Sequence, residues 1–95
     1  MITAFVLMNV QRGRVNDVAH KLADMEGVSE VYSVAGRYDL VAVIRAKSNE
    51  ELAEVVTDHM QKIGDVRHTE TLIAFQSFSR HDLEAMFSIG LREPG

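Results

Sequence analysis

Cysteine is absent from the 95-residue chain, and proline occurs once. Without thiols there is no disulfide scaffold, no thiolate zinc site and no cysteine nucleophile, and the chain suits a reducing interior. No apolar run reaches the roughly 18 residues that a membrane-spanning helix needs. The apolar start, Met1 to Val10, has no basic stretch before it and no small-residue cleavage site after it, so it reads as a strand and the protein as cytoplasmic. Positive charge is scarce as well. The formal net charge is −4, and no Lys/Arg cluster is interleaved with aromatic residues, which argues against direct contact with a phosphate backbone. Internal repeats, linkers and low-complexity tracts are also missing.

What remains is a single globular domain, residues 1–95, with 46% hydrophobic residues and a core at the small end of what folds alone. Ile2 to Val10 is nearly continuous apolar sequence, with Ile2, Ala4, Val6, Met8 and Val10 on one face of a strand and Phe5 and Leu7 on the other. After Gly13, residues Val15, Val18, Ala19, Leu22 and Met25 recur at helical spacing, and Gly27 is placed to stop that helix as its C′ residue. Two strands follow, over 28–37 and 39–46. Ser48 and Glu51 form a capping box ahead of a second helix, whose apolar side is Leu52, Val55, Val56, His59, Met60 and Ile63, ended by Gly64. A fourth strand runs over 66–78, with Thr69, Thr71, Ile73 and Phe75 on one face and Val66, Leu72, Ala74 and Phe78 on the other. Ser79 can cap a short terminal helix carrying Leu83, Met86 and Phe87 and ending near Gly90.

Strand, helix, strand, strand, helix, strand with right-handed crossovers is the ferredoxin-like α+β plan: a four-stranded antiparallel sheet, order 4-1-3-2, with both main helices on one face. A sheet whose other face meets water should alternate apolar and polar residues. Here residues 2–8, 40–44 and 72–75 are apolar on both faces. A lone protomer would expose more hydrocarbon than monomers tolerate, and a second copy placed sheet to sheet is the expected cover. The terminal segment 83–91 is too short to cover four strands.

The stretch at the centre of this plan is the hairpin over residues 31–45, which folds back at Gly36-Arg37-Tyr38-Asp39. Gly36 permits a positive φ or a close approach, and Asp39 puts a carboxylate at the bend. Val28-x-x-Val31, then Gly36-x-Tyr38-Asp39-Leu-Val, a capped helix and Gly64-x-Val66-x-x-Thr69-x-Thr71 together resemble the ligand-sensing domain of Lrp/AsnC (feast/famine) transcriptional regulators, from Ile2 to about Phe78. Members of that family normally carry an N-terminal helix-turn-helix domain. This sequence begins at the first sheet strand and is similar to the stand-alone form of the sensing domain.

The resemblance implies dimers that assemble into octamers or decamers, an amino-acid effector bound between dimers, and joint assembly with full-length Lrp/AsnC regulators. It implies ligand-binding residues Gly36, Arg37, Tyr38 and Asp39, with Thr69 and Thr71 close by. Asp39 could accept from the effector's ammonium, and amides beside Gly36, with Arg37, could hold its carboxylate. Each residue also has a structural use. Asp39 can bond turn amides, Gly36 can serve the backbone alone, Tyr38 can pack, Arg37 can be solvated, and threonine is a common strand former.

Two other readings stay open: a dimeric α+β-barrel enzyme of the small monooxygenase or isomerase kind, and a ring-forming scaffold with no ligand. The histidines, His20, His59, His68 and His81, show no metal-ligand spacing, and no Ser-His-Asp order or phosphate loop occurs. The sequence therefore points to no catalytic residue, no metal, no cofactor and a non-enzyme.

Overall fold

Strand β1 (Ile2–Val10), apolar on both faces, takes an inner place in the sheet, between β3 (Leu40–Ala46) and β4 (Val66–Ile73). Strand β2 (Val28–Ser33) pairs with the outer edge of β3, so the order is β2-β3-β1-β4, antiparallel throughout, in a computed structural model that describes residues 1–80. Helix α1 (Val15–Ala23) joins β1 to β2, and α2 (Asn49–Ala53) begins the connection from β3 to β4. This is the expected ferredoxin-like βαββαβ fold.

The pairing register assigns the two faces. Opposite residues share a face, so Ala4, Val6, Met8, Leu40, Ala42 and Ile44 all point towards the helices, where they are fully buried together with Val18 and Leu22. Phe5, Leu7, Val41 and Val43 lie on the other face, flanked by Tyr32 on β2 and Leu72 on β4. No helix among the described residues covers them, although Val43 is itself buried. Phe5 is 37% exposed, Tyr32 50% and Leu72 48%.

Several boundaries differ from the sequence-based expectation. Helix α1 ends at Ala23, and Gly27 is not its C′ residue; it sits in the following turn at φ +93°, where an added Cβ would lie 2.7 Å from Val55 Cγ2. Close packing of the second helical segment, as well as backbone conformation, therefore demands glycine there. The capping box forms in part. The Glu51 amide donates to Ser48 Oγ at 3.1 Å, but the Glu51 carboxylate accepts from the Lys47 amide at 2.9 Å, one residue before the expected partner.

The second helix is regular only to Ala53. It widens into a π-helix at Glu54–His59, with the Met60 amide donating to the Val55 carbonyl, and tightens into a 3-10 turn at Met60–Lys62. Val55, Val56 and Thr57 are consecutive β-branched residues, a run that crowds an α-helix. Strand β4 carries a bulge at Arg67, because Asn9 faces His68 while Val10 faces Val66. The bulge returns Val66 to the helix side, the same face as Thr69, which corrects the simple alternation read from sequence. Strands β2 and β4 stop at Ser33 and Ile73, short of the expected 37 and 78. The expected terminal helix falls mainly at 81–95, outside the described residues.

Candidate functional site

The β2–β3 connection, residues 34–39, turns at the end of the sheet where β1 finishes. Val34 N–H donates to the Asp39 carbonyl at 3.0 Å and closes the loop. Asp39 N–H donates to the Met8 carbonyl at 3.0 Å, and Asp39 Oδ2 accepts from the Val10 amide at 2.8 Å. Amide, carbonyl and carboxylate of this one residue thus tie the loop to itself and to β1. Their arrangement continues the β1–β3 ladder past Leu40 with a side chain in place of backbone. A carboxylate accepting an N–H at this distance makes a charge-assisted bond. Asp39 is half-buried, and Oδ1 has no partner among the described residues.

Gly36 has φ +124°, and nothing lies within 4 Å of where a Cβ would stand. Glycine is needed here for the backbone turn rather than for room within the protomer. The side of the loop is consequently bare. Arg37 is exposed and forms no ion pair among the described residues. Tyr38 reaches over the end of β1, and its hydroxyl donates to the Glu70 carboxylate on β4. That hydrogen bond is the main cause holding the Tyr38 phenol protonated above its ordinary range, with Arg37 acting in the opposite sense. Glu70 faces Leu7, which places the Tyr38–Glu70 pair on the helix-free face.

Thr69 and Thr71 face Met8 and Val6 and therefore stand on the helix side of the sheet. Thr69 is half-buried at the edge of a cavity of about 100 Å³, and Thr71 is exposed. No residue of the 36–39 loop lines that cavity. The structure therefore brings Gly36, Arg37, Tyr38 and Asp39 together at one corner, with Thr69 at the same end of the sheet, but it does not close the loop and the threonines into one pocket inside a protomer. Glu70 and the Val10 amide, the true partners of Tyr38 and Asp39, were not singled out from sequence. Glu70 could have been suspected, as an acid alternating with two threonines beside an apolar strand.

Among the described residues, no three His, Asp or Glu side chains gather as a metal site would require, and no helix is long and apolar enough to cross a membrane.

The model of the Lrp/AsnC ligand binding domain family matches residues 3–83. An HTH-type transcriptional regulator, FL11 of Pyrococcus furiosus, is 39% identical over 75 residues, which make up 79% of this chain and 49% of that protein. The chain thus spans about half the length of the curated relatives it matches. Among solved structures, TTHA0845 from Thermus thermophilus superposes with a TM-score of 0.79 at 48% identity, over 84% of this chain and 100% of that one. A feast or famine regulatory protein from M. tuberculosis, solved in complex with L-methionine, superposes with a TM-score of 0.68 at 26% identity, over 83% of this chain and 53% of that one. With the βαββαβ sheet and the Gly36–Asp39 corner in place, this match over most of its length makes the chain a member of the Lrp/AsnC ligand-binding domain family, related to transcriptional regulators.

Proposed function

We propose that this domain is an amino-acid sensor and assembly module of transcriptional regulation, working in the cytoplasm by binding its effector at the Gly36–Asp39 corner once copies have assembled. The observation that carries the reading is Asp39: one carboxylate oxygen is fixed by the Val10 amide and the other points to no protein donor among the described residues. A carboxylate held this firmly is an oriented acceptor for an ammonium group. The bare backbone at Gly36 and Arg37, which has no ion pair among the described residues, offer donors for the carboxylate on the adjacent carbon, and Tyr38 forms a wall. The L-methionine of the M. tuberculosis relative supports the amino-acid class.

Assembly follows from the helix-free face. Phe5, Leu7, Val41 and Leu72, around the buried Val43, form an apolar band that a second copy would bury, at about 25 cal/mol per Å². Dimers then associate further, to octamers or decamers, and the same sheet face allows joint assembly with longer regulators that carry DNA-binding domains. An effector at the seam between dimers shifts assembly only by as much as it prefers one assembly to another.

The test is equilibrium dialysis against the twenty amino acids, with sedimentation at matched protomer concentration. The expected result is saturable binding of one amino acid or a few related ones, lost in Asp39→Ala, with a change in assembly. Absence of binding together with an unchanged assembly overturns the reading. One observation favours the rival ring-forming scaffold: Asp39 already has a structural bond, to the Val10 amide. A scaffold would assemble identically with and without amino acids.

A further inference from the structure

We propose that the cavity between the π-helical segment and β4 is a second binding site, separate from the Gly36–Asp39 corner, for a small carboxylate with a branched chain of three or four carbons. The walls of this cavity, of about 100 Å³, are Val6, Val56, Met60, Ile63 and Val66. Val6 and Met60 are buried. Its rim carries exposed Gln61, Arg67 and His68 and half-buried Thr69.

Three departures from regular structure meet at this one place. The helix widens at Glu54–His59, tightens at Met60–Lys62, and β4 bulges at Arg67. A π-helical turn holds the wall open by displacing Val56 and Met60 from the positions an α-helix would give them, and such turns occur frequently at functional sites. The bulge re-aims one side chain out of the pleat, and that side chain is Arg67. A continuous α-helix against an unbulged strand would pack this space closed, as interiors ordinarily do.

The chemistry of the lining defines the ligand. Apolar walls around about 100 Å³ suit a small aliphatic group such as isopropyl or isobutyl. Arg67 has no ion-pair partner among the described residues and offers a carboxylate a two-pronged contact at the mouth. Thr69 and Gln61 add neutral donors beside it. The residues 36–39 take no part, and Thr69 alone is shared with the effector corner, so the inference does not rest on that corner's function.

The full chain labelled with 13C-methyl methionine provides the test, with Met60 assigned by Met60→Leu among the five methionines. Isovalerate, leucine and 4-methyl-2-oxopentanoate are titrated separately, so that simple acid, amino acid and oxo acid are distinguished. Any of the three is expected to shift the Met60 methyl signal in a saturable way. Arg67→Gln, on the surface, should weaken that response about tenfold with the fold unchanged. Val56→Phe, which fills the cavity, should abolish it; Val56→Leu, a smaller change, should weaken it if the larger one unfolds the chain. Asp39→Ala should leave it intact. A Met60 signal that none of the three ligands moves overturns the proposal. So does a response that survives Val56→Phe in a folded protein, or one that Asp39→Ala removes, since the ligand would then belong to the corner.

Discussion

Replacing Asp39 by alanine tests whether the corner is tied to the sheet as the structure shows. The substitution removes the acceptor of the Val10 amide, which sits at the end of β1 with its residue 7% exposed, as well as the charge on that acceptor. A hydrogen bond to a charged group contributes about 1.5–3 kcal/mol, and the cost rises when the stranded donor is screened from water. Asp39 is only half-buried, so water can reach part of the vacated space and the loss should lie near 2 kcal/mol. For a domain of this size that corresponds to a fall of roughly 8–15 °C in Tm. Asp39→Asn keeps an oxygen acceptor without the charge, and charge-assisted bonds are about twice as strong as neutral ones, so it should cost about 1 kcal/mol. Urea unfolding followed by circular dichroism, at one fixed protomer concentration, measures both, because any assembly makes apparent stability concentration-dependent. Hydrogen exchange at the Val10 amide gives the local reading: protection should fall in Asp39→Ala and fall less in Asp39→Asn. A loss below about 0.5 kcal/mol in Asp39→Ala with unchanged Val10 protection would refute the tie.

Three further outcomes follow from the same geometry. Gly27→Ala should be more damaging than Gly36→Ala: both incur about 1–3 kcal/mol of backbone strain, but at Gly27 the new methyl also meets the stiff, buried Val55 side chain, adding about 1–3 kcal/mol of overpacking, which urea unfolding will register. Both tyrosines, Tyr32 hydrogen-bonded to Glu30 and Tyr38 to Glu70, should ionise above the ordinary value of 10.0, and Glu70→Gln should bring one of the two steps in a 295 nm titration down. Since the neutral phenol is the bonded form, the stabilisation is complete below the ordinary tyrosine pKa and is lost as pH rises through the raised one. Leu7→Lys, in the middle of the helix-free face, should yield a folded protomer that sediments as a single chain at concentrations where the parent associates, and a mutant that associates like the parent would place the contact elsewhere.

The sheet was legible because period-two patterning survives any detail of the loops. Phe5 and Leu7 against Val6 and Met8 already separate the faces of β1, and the apolar stretches 40–44 and 72–75 show that the face opposite the helices is not built for water. The helical distortion was hidden for an equally physical reason. Leu52, Val55, Val56, His59, Met60 and Ile63 mark the same buried side whether the chain winds with four or five residues to the hydrogen bond, so periodicity alone does not show where an α-helix widens. The bulge at Arg67 was hidden too, because alternation says nothing of an extra residue until the partner strand is known. At the corner, glycine and aspartate were visible as turn residues. The Val10 amide that uses the carboxylate lies 29 positions away and follows only from the fold.

That fold separates groups which the family resemblance places side by side, and the separation has a consequence for how a site is built. Tyr38 lies over the helix-free face through Glu70, whereas Thr69 and Thr71, on either side of Glu70 in β4, stand on the helix side, so the two sets occupy opposite faces of the sheet. One small effector cannot touch both sets within a protomer without passing through the sheet. If the effector contacts both, one copy must supply the Gly36–Asp39 corner and a neighbour the threonines, as in a heterologous seam. Complementation measures this directly. Asp39→Ala and the double variant Thr69→Ala with Thr71→Ala should each fail to bind effector alone. Unfolded together and refolded as an equal mixture, they should recover about one quarter of the parental sites, since random pairing of copies joins an intact corner to intact threonines in that fraction. A site contained in a single protomer recovers nothing on mixing. Zero recovery from a mixture shown by mass spectrometry to be co-assembled would therefore reject the shared site, and recovery near one quarter would establish why binding and assembly cannot be separated in this domain.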